Sequence, residues 1–204
     1  MQNKSRENLL RLVRLGMLSA LSIVLLYLIQ PFPIFAAAPF LEYDAADIPI
    51  FIAALLYGPW WGFAVTVVVS IIQGFTVGAK SGVIGIAMHI IATGAFCLAS
   101  GFIYRSKKTL GRAVLALTAG VLTMTAVMVC WNLILTPIFM GAPVEMVIGM
   151  LVPVIIPFNL IKAGANAAAT FVVYKPISGL FSLQGKAKKR DKSELKDIDS
   201  DEPK

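Results

Sequence analysis

The sequence is poor in charged residues, and this shortage excludes an ordinary soluble domain. Asp, Glu, Lys and Arg make up 14% of the 204 residues, whereas apolar residues make up 58%. The mean hydropathy is +0.81. A soluble domain averages about 25% charged residues. A chain of this size cannot cover so much apolar surface with polar side chains, so the composition predicts an all-α integral membrane protein.

Cysteine and histidine are also scarce, which limits the chemistry available to the chain. Cys97 and Cys130 both lie inside apolar runs, so neither a disulfide framework nor a CxxC motif is present. His89, the single histidine, excludes a multi-histidine metal cluster. Residues 74–81 resemble a phosphate-binding loop, but the spacing is wrong and no glycine precedes Lys80. We therefore expect no enzyme activity, metal site or cofactor.

The net charge of +7 is concentrated beside the apolar segments. Basic residues cluster at 4–14, 105–112 and 186–192. Such clusters are typical of cytoplasmic flanks of membrane spans, so they predict a lipid bilayer rather than nucleic acid as the partner. The first apolar run, Leu12–Ile29, is longer than a signal-peptide core and is interpreted as a retained helix.

Charge placement also predicts the number of spans. Gly58 and Pro59 break the apolar segment 47–73 near its middle. If the two halves form a hairpin, all three basic clusters lie on one side of the membrane, and the other side receives four acids and one base. The positive-inside rule then favours six transmembrane helices with short helices 2 and 3 and with both termini cytoplasmic. The predicted domain is 1–182, with helices at about 9–30, 47–57, 59–73, 83–104, 113–140 and 144–174, followed by a disordered charged tail, 183–204.

The loop at 31–46 is predicted to close a cavity on the outer side. Helix 2 would be only about 16 Å long, so this loop must reach membrane depth to meet it. Irregular backbone at that depth is tolerated where it is buried or lines a cavity. Glu42, Tyr43 and Asp44 in the loop would suit a polyhydroxyl ligand, although a solvated loop is the alternative. Asp47, just before Ile48 and Pro49, is predicted to cap helix 2.

Helix 6 carries the polar residues most indicative of a ligand site. Its polar positions, spaced i, i+3 and i+7 on one face, are Asn159, Lys162 and Asn166. A lysine at the centre of a span costs roughly 2.5–3.5 kcal/mol on insertion scales, so its presence favours a substrate ligand. The alternative is a structural ion pair with Asp47 or Glu145. Asn132 on helix 5 could face the same cavity or form an interhelical hydrogen bond.

Helix 1 carries a pair of small residues at the spacing that permits close helix contact. Gly16 and Ala20 lie one turn apart, so a second helix could approach their backbone closely. The contact could be made with a partner protein or within the chain itself.

Three of these segments resemble the riboflavin-binding S-component of energy-coupling factor (ECF) vitamin transporters. They are residues 41–49, the turn at 56–62 and the Asn159–Lys162 element, and the similarity spans about residues 9–180. The resemblance implies a bacterial cell-membrane protein whose partners are a transmembrane coupling protein and two ABC-type ATPases. Gly16 and Ala20 stand where the family has an Ala-xxx-Ala contact motif.

The resemblance also implies the roles of the site residues. Riboflavin is the implied transported ligand. Its ring edge would be read by Asn132, Asn159 and Lys162, while Glu42, Tyr43 and Asp44 would close over the ribityl chain. Two alternatives stay open: a stand-alone secondary transporter and an S-component for another vitamin.

Overall fold

The computed structural model describes residues 2–36 and 38–176, and among these it contains six helical segments. They are α1 (Gln2–Leu28), α2 (Asp47–Tyr57), α3 (Pro59–Phe75), α4 (Gly82–Ser106), α5 (Leu110–Met140) and α6 (Val144–Pro176). Two short strands, β1 (Phe32–Pro33) and β2 (Glu42–Tyr43), pair antiparallel in the loop between α1 and α2. Helices α1, α4, α5 and α6 are long and apolar enough to span a membrane. The prediction of an all-helical protein with apolar spans is thus confirmed, while the tail 183–204 lies outside the described residues.

The helix ends differ from the predicted ones mainly at the N-terminus. Helix α1 begins at Gln2 rather than near residue 9. Residues 2–8 are polar, and four of the seven are Gln, Lys, Arg or Glu, whose high helix propensity favours extension of the helix beyond its apolar part. Hydropathy therefore locates the segment that suits the bilayer and leaves the end of the helix undetermined.

A single glycine separates α2 from α3. Gly58 has φ of 101°, a conformation that side-chain-bearing residues rarely adopt. Pro59 follows as the first residue of α3, where its missing N–H leaves no helical hydrogen bond unmade. Helix α4 passes close to this turn, and a Cβ at Gly101 would lie 2.6 Å from the Cα of Pro59. The close packing of α4 against the turn therefore requires a residue without a Cβ atom at position 101.

Replacing Gly101 by alanine should lower the stability of the bundle. The added methyl group would collide with backbone rather than with a flexible side chain, so we expect a loss of about 1–3 kcal/mol. Gly149→Ala is the matched control, because no described atom lies within 4 Å of a Cβ built there. Thermal unfolding in detergent should show a lower midpoint for Gly101→Ala alone. Equal midpoints for the two variants would mean that α4 does not approach the turn this closely.

Contacts of aromatic side chains show which helix ends lie together at one end of the bundle. The guanidinium carbon of Arg11 lies 5.9 Å from the ring centre of Trp61, next to the turn between α2 and α3. The hydroxyl groups of Tyr104 on α4 and Tyr174 on α6 are 2.7 Å apart. The early part of α1, the turn and the last turns of α4 and α6 therefore lie together. The loop between α1 and α2 lies at the opposite end.

Helix α2 occupies the centre of the protein despite its short length. Eight of its eleven residues are buried. The ring of Phe51 stacks on Phe96 of α4 with centroids 3.5 Å apart. Because α2 starts deep inside the bundle, its first residue, Asp47, is fully buried at the base of the loop. A carboxylate in such a place must be surrounded by donors.

Helix α6 changes its winding just before its polar residues. A π-helical stretch covers Leu151–Ile155 and contains Pro153. The N–H of Ile156 bonds to the carbonyl of Leu151, five residues back, instead of the usual four. Single-turn π segments inside α-helices occur often at functional sites. Here the stretch sets the rotation of the face that carries Asn159 and Lys162.

Candidate ligand-binding site

An open cavity lies between the loop and helices α3 to α6. Its volume is about 150 Å³, below the roughly 300–1,000 Å³ usual for small-molecule sites, and it is open at its mouth. Its apolar wall is formed by Phe40, Met124, Met128, Phe139 and Phe158. Its polar wall is formed by Glu42, Asp44, Ser70, Gln73, His89, Thr93, Thr136, Asn159 and Lys162. A ligand with a flat apolar body and a polar edge would match this division.

Lys162 is paired across the cavity with the loop. Its Nζ donates to Asp44 Oδ2 at 2.9 Å and lies 3.5 Å from the carbonyl oxygen of Glu42. The side chains of Lys162 and Asp44 are both largely buried, with 11% and 3% exposed. The sequence suggested Asp47 or Glu145 as the alternative partner, so Asp44 is a new assignment. Such a pair costs desolvation energy, which buried pairs recover only with good geometry.

Asn166 on α6 is hydrogen-bonded to the loop through both the Nδ2 and the Oδ1 atoms of its amide. Its Nδ2 donates to the carbonyl of Asp44 at 2.9 Å and lies 3.4 Å from Asp47 Oδ2. Its Oδ1 accepts a hydrogen bond of 2.8 Å from the hydroxyl of Tyr43. Burial, together with Asp44 and Asp47, raises the pKa of Tyr43 above its usual value, which keeps the phenol protonated as a donor. The loop is therefore held from α6 by donors and acceptors together.

Asp47 does not cap α2 as the sequence suggested. The helix begins at Asp47 itself, and Ala46 before it makes no side-chain cap bond. The carboxylate instead accepts a hydrogen bond of 2.9 Å from Thr93 and lies 3.2 Å from His89 Nε2. Because Asp47 is fully buried, its charge is better satisfied by donors from α4 and α6 than by its own helix end.

The carboxylates of Asp44 and Asp47 and the ring of His89 could in principle hold a cation. One ligand atom from each lies within 4.8 Å of the others. However, the ammonium of Lys162 is already 2.9 Å from Asp44. Thr93 donates a hydrogen bond to Asp47. A cation would have to displace these donors, so we interpret the cluster as a polar network.

The two asparagines predicted to read the ligand differ in position. Asn159 lines the cavity, and its Nδ2 donates to the carbonyl of Ile155 at 2.8 Å. Asn132 is fully buried and bonds within α5, to the carbonyl of Met128 at 2.7 Å and to Thr136 Oγ1 at 2.8 Å. It is not among the cavity-lining residues of the described chain, so its contact with the ligand stays a prediction. Thr136 faces the cavity in its place.

A second polar wall, on α3 and α4, was missed by sequence reasoning. Ser70 and Gln73 line the cavity from α3, while His89 and Thr93 line it from α4. Sequence reasoning used His89 only to exclude a multi-histidine metal cluster. The available signal was the spacing of His89 and Thr93, one helical turn apart and hence on one face. Polar residues in apolar helices mark cavities more often than they mark lipid contacts.

Gly16 and Ala20 lie on the outside of the bundle. Both are exposed on α1, and no described atom lies within 4 Å of a Cβ built at Gly16. Packing within the chain therefore does not account for this pair of small residues. The face is available to another helix.

Apolar helices surrounding a partly polar internal cavity define a multi-pass membrane protein with a small-molecule site. The chain matches the family described as "ECF transporter, substrate-specific component" over residues 10–174. It belongs to this family of S-components, and the resemblance read from the sequence is confirmed.

Relatives within the family support the same assignment. The chain is 31% identical to riboflavin transporter FmnP of Bacillus subtilis over 163 residues, which cover 74% of this chain and 83% of that protein. It is 26% identical to riboflavin transporter RibU of Streptococcus thermophilus, with 88% of each chain covered. A solved structure titled as the S component of a bacterial ECF transporter superimposes with a TM-score of 0.72 at 27% identity, covering 89% of this chain and 99% of the other.

Proposed function

We propose that this chain is the riboflavin-binding subunit of an ECF-type importer. The observation that carries the proposal is the cavity, whose lining combines apolar side chains with Asn159 and Lys162. A flavin ring has apolar faces and one edge with two carbonyl acceptors and an N–H between them. The amide of Asn159 offers a donor and an acceptor, and Lys162 offers donors only, so together they match that edge.

Under this proposal, some of the predicted site residues contact the ligand and others position the residues that do. Glu42 and Asp44 line the cavity and would meet the ribityl hydroxyls. Tyr43 would act through Asn166, which holds the loop in place. Asn132 would act through Thr136, whose hydroxyl it orients. Lys162 would be shared between Asp44 and the ligand, which offsets part of the cost of its burial.

We propose that the end of the bundle containing Arg11 and Trp61 faces the cytoplasm. The basic cluster at 105–112 begins beside Tyr104, at this same end, and supports a cytoplasmic location by the positive-inside rule. The cavity then opens outward, and α2 and α3 form a hairpin with both chain termini inside. The vitamin would be captured from the outer face. Passage inward would require a transmembrane coupling protein and two ABC-type ATPases.

Purified protein should bind riboflavin with an affinity measurable by quenching of flavin fluorescence. Protein isolated from cells that contain the vitamin should also show the yellow absorption of a co-purified flavin. Thiamine and biotin, titrated in competition, should leave the quenching curve unchanged. No quenching by riboflavin, or displacement by another vitamin, would contradict the proposed ligand and favour an S-component of different specificity.

A stand-alone secondary transporter is the second candidate, favoured by the buried ionisable residues Asp44, Asp47 and Lys162. Reconstitution of the chain alone in liposomes separates the two functions. The proposed subunit would bind riboflavin without accumulating it, whereas a secondary transporter would accumulate it against a gradient when an ion gradient is imposed.

A further inference from the structure

Two buried polar atoms on the α3–α4 wall lack hydrogen-bond partners. Among the described residues, three buried side-chain polar atoms have none, namely Ser22 Oγ, Gln73 Oε1 and His89 Nε2. Gln73 and His89 line the cavity, whereas Ser22 does not. Buried polar groups in native proteins are nearly always satisfied, so an unsatisfied pair on one cavity wall calls for an explanation.

The surrounding contacts define what this pair can accept. Ser70 Oγ donates its only hydrogen to the carbonyl of Thr66 at 2.6 Å. Its contact of 2.7 Å with His89 Nδ1 must then be an N–H donation from the histidine. His89 Nε2 lies 3.2 Å from Asp47 Oδ1, but without the alignment of a hydrogen bond. This nitrogen therefore faces the cavity side of the network with unused hydrogen-bonding capacity.

Gln73 is on α3, the helix whose Ser70 contacts this histidine. It follows Ser70 by three residues on α3, so the two side chains lie on one helical face. The Oε1 of Gln73 can only accept, and it therefore requires an O–H or N–H group from a ligand. Gly74, Gly78 and Gly85 also line the cavity.

We infer that Gln73 and His89 form a second polar subsite that binds the hydroxyl groups of the ligand's side chain. The inference rests on the proposed riboflavin function and extends it to cavity-lining residues of α3 and α4. A hydroxyl group can donate to Gln73 Oε1 while a neighbouring hydroxyl donates to His89 Nε2. The flavin ring has a single N–H, which the α6 residues would already use. The ribityl chain, with several hydroxyls, supplies the remaining donors.

Comparison of two ligands isolates this contact. Lumiflavin has the ring of riboflavin with a methyl group in place of the ribityl chain. Gln73→Met keeps the volume of the side chain and removes its amide, and it breaks no side-chain hydrogen bond of the described structure. The variant should bind riboflavin about three- to tenfold more weakly than the unsubstituted chain, as expected for one hydrogen bond. Its affinity for lumiflavin should be unchanged.

Ser22→Ala is the matched control, because it removes a buried unpartnered atom that lies away from the cavity. It should leave both affinities unchanged. His89→Met is the second variant, with the same expected selectivity. Fluorescence-quenching titrations of both flavins, on protein whose fold is checked by circular dichroism, give two affinities for each variant, which are compared with the two of the unsubstituted chain.

The outcomes distinguish this inference from the function on which it rests. Equal losses for riboflavin and lumiflavin, or no loss for either in Gln73→Met, would overturn the subsite while leaving riboflavin binding intact. Failure of the unsubstituted chain to bind riboflavin would overturn the proposed function and the subsite together. Loss of riboflavin affinity alone supports both.

Discussion

Replacing Lys162 by methionine should weaken riboflavin binding about ten- to a hundredfold and also destabilise the protein. Binding is lost because a donor to a polar ligand group is removed, at a cost of roughly 1–3 kcal/mol. Stability is lost because Asp44, which is 2% exposed, would keep a buried charge without its partner. Removal of one member of a buried ion pair typically costs about 3–5 kcal/mol.

A double variant separates these two effects. Lys162→Met combined with Asp44→Asn removes both charges, and the asparagine can still accept the hydrogen bond of 3.1 Å from the N–H of Ala46. We expect the thermal unfolding midpoint to recover most of its loss, while riboflavin affinity stays low. Recovery of affinity together with stability would show that the pair is purely structural.

Asn159→Ala provides a control without an ion pair. Its side chain bonds only to the carbonyl of Ile155 within the described structure. The variant should lose about five- to a hundredfold in riboflavin affinity with a smaller change in stability than Lys162→Met. Unchanged affinity in both variants would place the flavin ring away from α6.

The grouping of polar residues on α6 was predictable because it depends only on helical period. Residues at i, i+3 and i+7 share a face whatever the rest of the fold. The structure places Asn159 and Lys162 on the cavity and directs Asn166 to the loop. Apolar spans were predictable for a similar reason, since length and hydropathy are local properties.

The sequence did not reveal which side chains pair with each other when they are far apart along the chain. Lys162 and Asp44 are separated by 118 positions, and the sequence offered Asp47 or Glu145 as the partner instead. The three-dimensional arrangement decides between them, because Asp47 is engaged by Thr93 and lies against His89. Asn132 shows a second limit of reasoning from the sequence. An asparagine inside a span can satisfy its amide within its own helix, so its presence alone does not indicate a cavity.

Replacing Gly16 by leucine should abolish riboflavin uptake by cells that supply the coupling protein and ATPases, while riboflavin binding by the purified variant survives. Gly16 and Ala20 are exposed on α1, and a larger side chain at Gly16 meets no described atom of this chain within 4 Å of its Cβ. The fold and the cavity should therefore be unaffected. A partner helix that approaches the small-residue face closely would instead be held away by the leucine.

Two further variants test whether the effect belongs to this face. Gly16→Ala recreates the Ala-xxx-Ala pattern of the resembling family and should keep uptake. Leu21→Phe adds bulk at a position that is 46% exposed and about 120° around α1 from the middle of the pair, so it should also keep uptake. Uptake in cells and pull-down of the coupling protein are measured side by side with binding. The residues proposed to bind riboflavin and those proposed to contact the partner are different. Loss of riboflavin binding in Gly16→Leu would therefore mean that this glycine packs inside the protein. Normal uptake in Gly16→Leu would mean that the partner contacts another helix.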